Sequence, residues 1–173
     1  GELDVILTNY GADERFPVIG EFAMPVRLLV ARKTFEGLKI PAGRKRECSD
    51  IGKACRLLPP GWVMPSWGSK LRNEIQMFLE KKGLPTRTVF ESDASASVIR
   101  SAADGAGIAL MPLEYAGREI EEGNLVVLGP KRGFWRHRIW LLCRHAVRDE
   151  PVTGRVAGAF RNALAATGGS ASR

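Results

Sequence analysis

The sequence predicts an α/β fold, and three observations between Arg87 and Gly129 predict it. Two short apolar runs, Ile108 to Met111 and Leu125 to Leu128, are too brief for helices and suit buried parallel strands. Between Arg87–Phe90 and the first run, Val98, Ile99, Ala102 and Ala103 form one apolar stripe at helical spacing. Glycines and a proline punctuate the stretch: Gly105 and Gly107 stop the first helix, Pro112 ends a strand, and Gly123 stops a second helix. Strand, helix, strand, helix, strand in succession implies parallel neighbours joined by right-handed crossovers. Ser92 or Asp93 caps the first helix. In such sheets ligands sit beyond the carboxyl ends of strands, so Ser92, Asp93 and Met111 to Leu113 lie near any pocket.

Taken in order, Glu2 to Thr8 enters a buried parallel strand through Val5, Ile6 and Leu7. Tyr10 to Glu21 reads as loop, with a possible short strand at Val18–Ile19, and Val26 to Ala31 as a strand. Phe35 to Lys53 reads as surface loop with a short helix at Ser49 to Ala54. Trp62 to Met64 is a strand ending at Pro65-Ser66. A helix over Ser69 to Lys82 follows from Leu71, Ile75, Phe78 and Leu79 at i, i+4, i+7 and i+8, closed by Gly83. The basic, aromatic segment Pro130 to His137 reads as a solvated hairpin loop. Arg138 to Arg144 is a strand. Val152 to Ala166 is a final helix with Val156, Ala159, Phe160, Ala163 and Leu164 on one face. The Gly/Ser-rich tail from Thr167 to Arg173 is expected to be disordered.

The junction Pro65-Ser66-Trp67-Gly68-Ser69 has two readings. A helix N-terminus offers unpaired N–H groups to an anion, Ser66 and Ser69 add hydroxyls, and Trp67 adds an apolar wall. The plain alternative is a helix cap with an incidental pair of serines.

Composition narrows the function. The chain has 173 residues, 45% of them hydrophobic, enough for one large domain or two lobes. No apolar run is long enough for a membrane span. Cys48, Cys55 and Cys143 lack the C-x-x-C spacing of a zinc site and read as reduced cytoplasmic thiols; no metal or cofactor is expected. The net charge of +7 permits nucleic-acid contact, with clusters at Arg44-Lys45-Arg46 and Lys131-Arg132. Yet no helix-turn-helix, zinc-finger or RNA-recognition pattern accompanies it. The two histidines, His137 and His145, flank a strand and read as surface residues without a nucleophile in reach. No nucleophile elbow, Walker A or HExxH motif appears, so an enzyme is not expected.

The segment ESDASASVIRSAADGAGIALMPLEYAGREIEEGNLVVLG resembles the effector-binding (substrate-binding) domain of LysR-type transcriptional regulators. There a short acidic-ended strand precedes a helix, a V-x-A-G-x-G-I-x-x-L/M-P segment, another helix, Gly and a strand. Ala102 to Pro112 fills that pattern, with Asp104 where a small residue is usual; GELDVILTN resembles the family's G-E/K-L-D-x-x-I opening. The resemblance implies a two-lobe, type 2 periplasmic-binding-protein-like fold joined by two hinge strands, Val26–Ala31 and Ile139–Cys143. It divides the chain into a partial lobe (1–30), a second lobe (31–139), a return strand and helix (140–166) and the tail (167–173). In that family GELD follows a DNA-binding domain and a first strand–helix–strand–helix, so this chain is expected to be an N-terminally truncated piece with an incomplete first lobe. The implied function is sensing of a small effector in the cleft between lobes, with oligomerisation into dimers or tetramers and DNA reached only through a separate helix-turn-helix domain. Carried over by position, the ligand-binding candidates are Thr8, Asn9, Ser66, Trp67, Gly68, Ser69, Asp93 and Ser95. VMPSWGSKLRNEIQMFLEKKGL, with LMPLEYA, is also similar to a sodium-responsive antiporter activator of the family. On that reading the effector is a cation meeting the oxygens of Asp93, Thr8 and Asn9; otherwise it is a small carboxylate or aromatic acid. Two rivals stand beside it: a stand-alone periplasmic solute-binding protein, and a nucleic-acid-binding module suggested by charge alone.

Overall fold

The computed structural model describes residues 3–11, 14–38, 50–58, 61–166 and 170–172. The Arg44-Lys45-Arg46 cluster and Cys48 fall outside them. The chain divides into two compact units, Pro25–Trp135 and Gly1–Met24 with Arg136–Arg173. It passes from one to the other at Met24–Pro25 and again at Trp135–Arg136.

In the larger unit the second half of β2 (Val18–Ala31) is the central strand. Between β1 (Val5–Thr8), which belongs to the smaller unit, and the larger unit's helices, β2 runs unbroken from Val18. The expected loop over Tyr10–Glu21 is therefore shorter, and the strand foreseen from Val26 begins eight residues earlier. After it come α1 (Arg32–Gly37) and α2 (Ile51–Leu57), the first a helix where loop was expected. β3 (Trp62–Pro65) leads into α3 (Lys70–Lys81), and β4 (Thr88–Ser92) into α4 (Ser95–Ala103). β5 (Ala109–Pro112), a 3-10 turn (Leu113–Tyr115), α5 (Gly117–Glu121) and β6 (Leu125–Leu128) complete it.

The α/β class holds, but strand direction differs from the expectation. β3 and β4 are parallel, and Trp62 bridges Ile108 in parallel. β5 and β6 instead flank β2 on opposite edges, both antiparallel to it: Leu28 lies opposite Leu110 on one side and Leu128 on the other. β5 and β6 point the same way without being neighbours. An apolar run reports burial, not the direction of the strand beside it. The periodic residues behave as expected: Leu71, Ile75 and Leu79 of α3, and Val98, Ile99 and Ala102 of α4, are buried against these strands. Gly107 serves close approach rather than a turn. A Cβ there would lie 2.8 Å from the Gly61 carbonyl and 2.9 Å from Val89.

In the smaller unit, β1 pairs antiparallel with β7 (Trp135–Cys143), which lies next to the first half of β2. β1 is thus neither parallel nor fully buried; it stands at the end of the strand order, and Leu7 is half exposed. The helix α6 (Pro151–Ala166) turns Thr153, Ala157 and Phe160 inward, while Val156 and Ala159 are exposed. The buried face is therefore rotated from the one expected. Phe160 meets Phe22 at 5.1 Å between ring centroids. Part of the tail is ordered: Ser170–Ser172 forms β8 against Glu21–Ala23, where backbone pairing on the free edge of β2 outweighs a composition that favours disorder.

Two sequence readings around β7 are corrected. His137 is buried at 1% exposure, because β7 alternates and places it on the face of Ile139 and Leu141. Trp135 is not part of a solvated loop: its indole N–H donates to Glu74 at 3.0 Å, and its ring packs 4.9 Å from Phe78.

Leu28 touches both flanking strands, so Leu28→Ala should cost about 2–5 kcal/mol, read as a drop in urea midpoint. A cost under about 1 kcal/mol would contradict its central place. Cys55 on α2 is a free, half-buried thiol whose pKa burial pushes up to about 11. In a Cys48→Ser, Cys143→Ala background, its alkylation by iodoacetamide at pH 8 should be on the order of a hundredfold slower than that of an exposed thiol. Deprotonation should remove stability only as pH rises from the unfolded thiol's range through the folded value, with no effect at lower pH.

Candidate functional site

The site is built where β3 and β4, the parallel pair, release the chain into α3 and α4. Parallel strands present their carboxyl ends together, so the two strand–helix junctions emerge side by side. The Ser66 N–H donates to the Ser92 carbonyl at 3.0 Å and ties one junction to the other. Ser69 is the N-cap of α3, its hydroxyl accepting the Arg72 N–H at 3.2 Å. Gly68 makes the turn between Trp67 and that cap at φ +87°, a conformation that costs glycine little. At the second junction the expected cap is absent: Ala94 is the N-cap of α4 without a side-chain bond, and Ser92 Oγ instead accepts the Ala94 N–H at 3.2 Å. Asp93 is exposed, and Ser95 opens the helix half-buried. Neither Asp93 nor Ser66 or Ser95 has a side-chain partner among the described residues.

Under these loops lies a group the sequence reading did not single out. Arg72, 2% exposed, donates to the Pro65 carbonyl at 3.1 Å, to Glu91 Oε2 at 3.2 Å and to Thr88 Oγ1 at 3.3 Å. Glu91 uses its other oxygen, Oε1, to accept the Trp67 N–H at 3.0 Å. The Arg72 guanidinium carbon sits 4.2 Å from the centre of the Trp67 ring. One buried cation thus fixes the ends of β3, β4 and α3 together. A signal existed: a cation in the first turn of a helix opposes the macrodipole and calls for a nearby carboxylate. The distance along the chain to Glu91 hid which one.

Of the expected site residues, Ser66, Trp67, Gly68, Ser69, Asp93 and Ser95 come together in this way. Thr8 and Asn9 belong to the smaller unit, where Thr8 ends β1 and its hydroxyl accepts the Tyr10 N–H at 3.2 Å. Close to the end of β5, burial and the carboxylates of Glu114 and Glu74 raise the Tyr115 phenol, which places those three groups near each other.

A cavity of about 360 Å³ lies elsewhere in the larger unit, among α1 and the last turns of α4 and α5. Most of its charges answer one another: Arg100 pairs with Asp104 and Glu119 at 3.4 Å, and Arg32 stands 3.6 Å from Glu36, while Lys33 lines it without an ion pair among the described residues. Arg32 also bonds the Gly123 carbonyl just past α5. These cations serve helix ends. Among the described residues no group of three or more His, Cys, Asp or Glu could hold a metal ion, and no helix is long and apolar enough to cross a membrane.

Removing Glu91 should strand a buried cation. Glu91→Ala is expected to cost about 2–3 kcal/mol, below the full loss for a buried pair because Glu91 is 32% exposed. Asp93→Ala, one junction away, should stay within about 0.5 kcal/mol. Equal losses in thermal or urea unfolding would contradict this division.

No curated protein sequence matches the chain. The sequence profile of the LysR substrate binding domain matches residues 57–166. Among solved structures, the regulatory domain of MetR, a LysR family regulator from N. meningitidis, is 16% identical over 98% of this chain and 75% of that one, with a TM-score of 0.61. A probable transcriptional regulator from Pseudomonas aeruginosa is 13% identical, covering 92% and 49%, at 0.63. Full-length HypT from Salmonella typhimurium, a hypochlorite-specific LysR-type regulator, is 22% identical, covering 94% and 52%, at 0.57. The chain spans about half the length of the first regulators it matches, 47% and 49%. At these identities the likeness shows the fold, that of LysR regulatory domains, which is periplasmic-binding-protein-like.

Proposed function

Because the chain belongs to the LysR substrate-binding-domain family, a family of transcriptional-regulator domains and not of enzymes, we propose that it senses a small effector for a LysR-type regulator. The observation that carries this reading is the pair of tied strand–helix junctions, Ser66–Ser69 and Ser92–Ser95. They set hydroxyls, one exposed carboxylate and an indole around the ends of two parallel strands, with Arg72 holding them in place. Preorganised polar groups beside an apolar surface are what a small-ligand site needs. Asp93, Ser66, Ser69 and Ser95 would supply the polar contacts; Thr8 and Asn9 are further candidates from the smaller unit. The chain performs no catalysis in this account.

The effector acts by binding one arrangement of the regulator more tightly than another, and it shifts the balance only by that difference. The regulator is cytoplasmic, assembles as dimers or tetramers, and reaches DNA through a helix-turn-helix domain elsewhere in the full protein. The family match favours this over a stand-alone solute-binding protein. Similarity to the sodium-responsive antiporter activator makes alkali cations one class worth including among effectors.

The test is thermal unfolding of the protein against small carboxylates, aromatic acids and alkali cations. A ligand at a hundredfold excess over its dissociation constant stabilises the native state by about 2.7 kcal/mol. One class should raise the midpoint, and Ser66→Ala or Asp93→Ala should abolish the rise. A rise insensitive to both substitutions would remove the site, and no rise with any class would remove the sensing role.

A further inference from the structure

The helix α3 grips the end of the larger unit. Glu74 and Phe78 lie one turn apart on it, so their side chains share a face. Both close on Trp135, the residue at which the chain leaves the unit. Glu74 Oε2 accepts the indole N–H at 3.0 Å, and the Phe78 ring packs 4.9 Å from the indole, tilted by 37°. A bond from a neutral N–H to a carboxylate is charge-assisted and directional, so bond and ring together hold Trp135 at two points. Phe78 also meets Phe134 at 5.5 Å, and the Phe134 N–H donates to the Val26 carbonyl at 2.9 Å. Val26 directly follows Pro25, where the chain enters the unit. Entry and exit are thus tied to each other by backbone and to α3 by side chains, all within the larger unit. The charges around Glu74 are mixed. Lys70 stands one turn before it on α3, and Glu114 is near enough for both carboxylates to act on the Tyr115 phenol.

We propose that this grip is a latch on the joint between the two units. Fastened, it makes the exit at Trp135 one rigid piece with α3. Released, it leaves the exit free to bend, and the smaller unit gains freedom of movement. This goes beyond the sensing function and needs no effector. A ligand selects only among the arrangements that the joint permits, and Glu74 and Trp135 set that range from the larger unit's side. Both are positioning residues; neither touches a ligand. They are half-buried, so the bond can be removed without opening the core around Leu71, Ile75 and Leu79.

The test is residual dipolar couplings of the ¹⁵N-labelled protein in neutral polyethylene glycol–hexanol, a medium without charge to attract a chain of net charge +7. The couplings of each unit report its own degree of alignment, and the ratio of smaller unit to larger falls as the joint loosens. Trp135→Phe keeps a ring on Phe78 and loses the N–H. Glu74→Leu loses the acceptor and leaves the ring. Both should lower the ratio below the parent's, and Glu74→Gln, which keeps an uncharged acceptor, should lower it less. Trp62→Phe is the control. It loses a similar indole bond, to the Pro85 carbonyl at 2.7 Å, at a buried position away from both passages. It should lower the unfolding midpoint and leave the ratio as in the parent. An unchanged ratio in folded Trp135→Phe or Glu74→Leu overturns the latch. So does a fall in Trp62→Phe or Glu74→Gln as large as in Glu74→Leu. If Trp135→Phe does not fold, Glu74→Leu decides alone. Because no effector is added, a failed latch leaves the sensing function standing.

Discussion

The larger unit depends on satisfying one strand from both sides. The Val26–Ala31 half of β2 is almost wholly buried, and a buried strand must pair its backbone groups along both edges. β5 and β6 do this, each antiparallel to it, and α3 and α4 then cover the sheet with the apolar stripes of Leu71, Ile75, Leu79, Val98, Ile99 and Ala102. The parallel pair β3 and β4 joins this frame through the bridge of Trp62 to Ile108 and the 2.9 Å bond from the Val63 N–H to the Ile108 carbonyl. With the frame fixed, the two strand ends have little freedom, and the loops that follow them inherit that rigidity.

On this frame Arg72 has a second, local task. A guanidinium removed from water is costly unless its donors are met. Pro65 on β3 and Thr88 and Glu91 on β4 meet its two terminal nitrogens, so the cost of burial becomes a constraint on geometry. Glu91 passes the constraint on to the Trp67 backbone, and the guanidinium face passes it on to the ring. The result is a set of polar and aromatic groups ordered before any ligand arrives, which lowers the entropy that binding would otherwise cost.

What could be read from the sequence follows from how local each signal is. Leu71, Ile75 and Leu79 mark α3 because helical periodicity is a property of one short window, and Ser69 marks its start for the same reason. The family resemblance around Ala102–Pro112 placed Ser66–Ser69 and Asp93–Ser95 as site candidates, and the parallel pairing of β3 with β4 explains why these two segments meet. The long reach of β2 was hidden because Tyr10–Glu21 reads as loop, although a strand carries Gly20 and Pro25 wherever pairing does not need a side chain or an N–H. Direction was hidden too, since burial makes parallel and antiparallel strands look alike. The Arg72–Glu91 pair spans an α-helix and a strand, and no spacing rule couples residues so far apart; nor did a face of α6 drawn through Val156 reveal that Thr153 and Ala157 turn inward instead.

The central claim is that the tied junctions are where the effector acts. Amide hydrogen exchange of the protein, with and without a solute that raises its unfolding midpoint, tests this most directly. Ligand-dependent protection should concentrate at 66–69 and 92–95. Protection centred instead on the charged cavity of Arg32, Arg100 and Glu119, with the junctions unchanged, would contradict it.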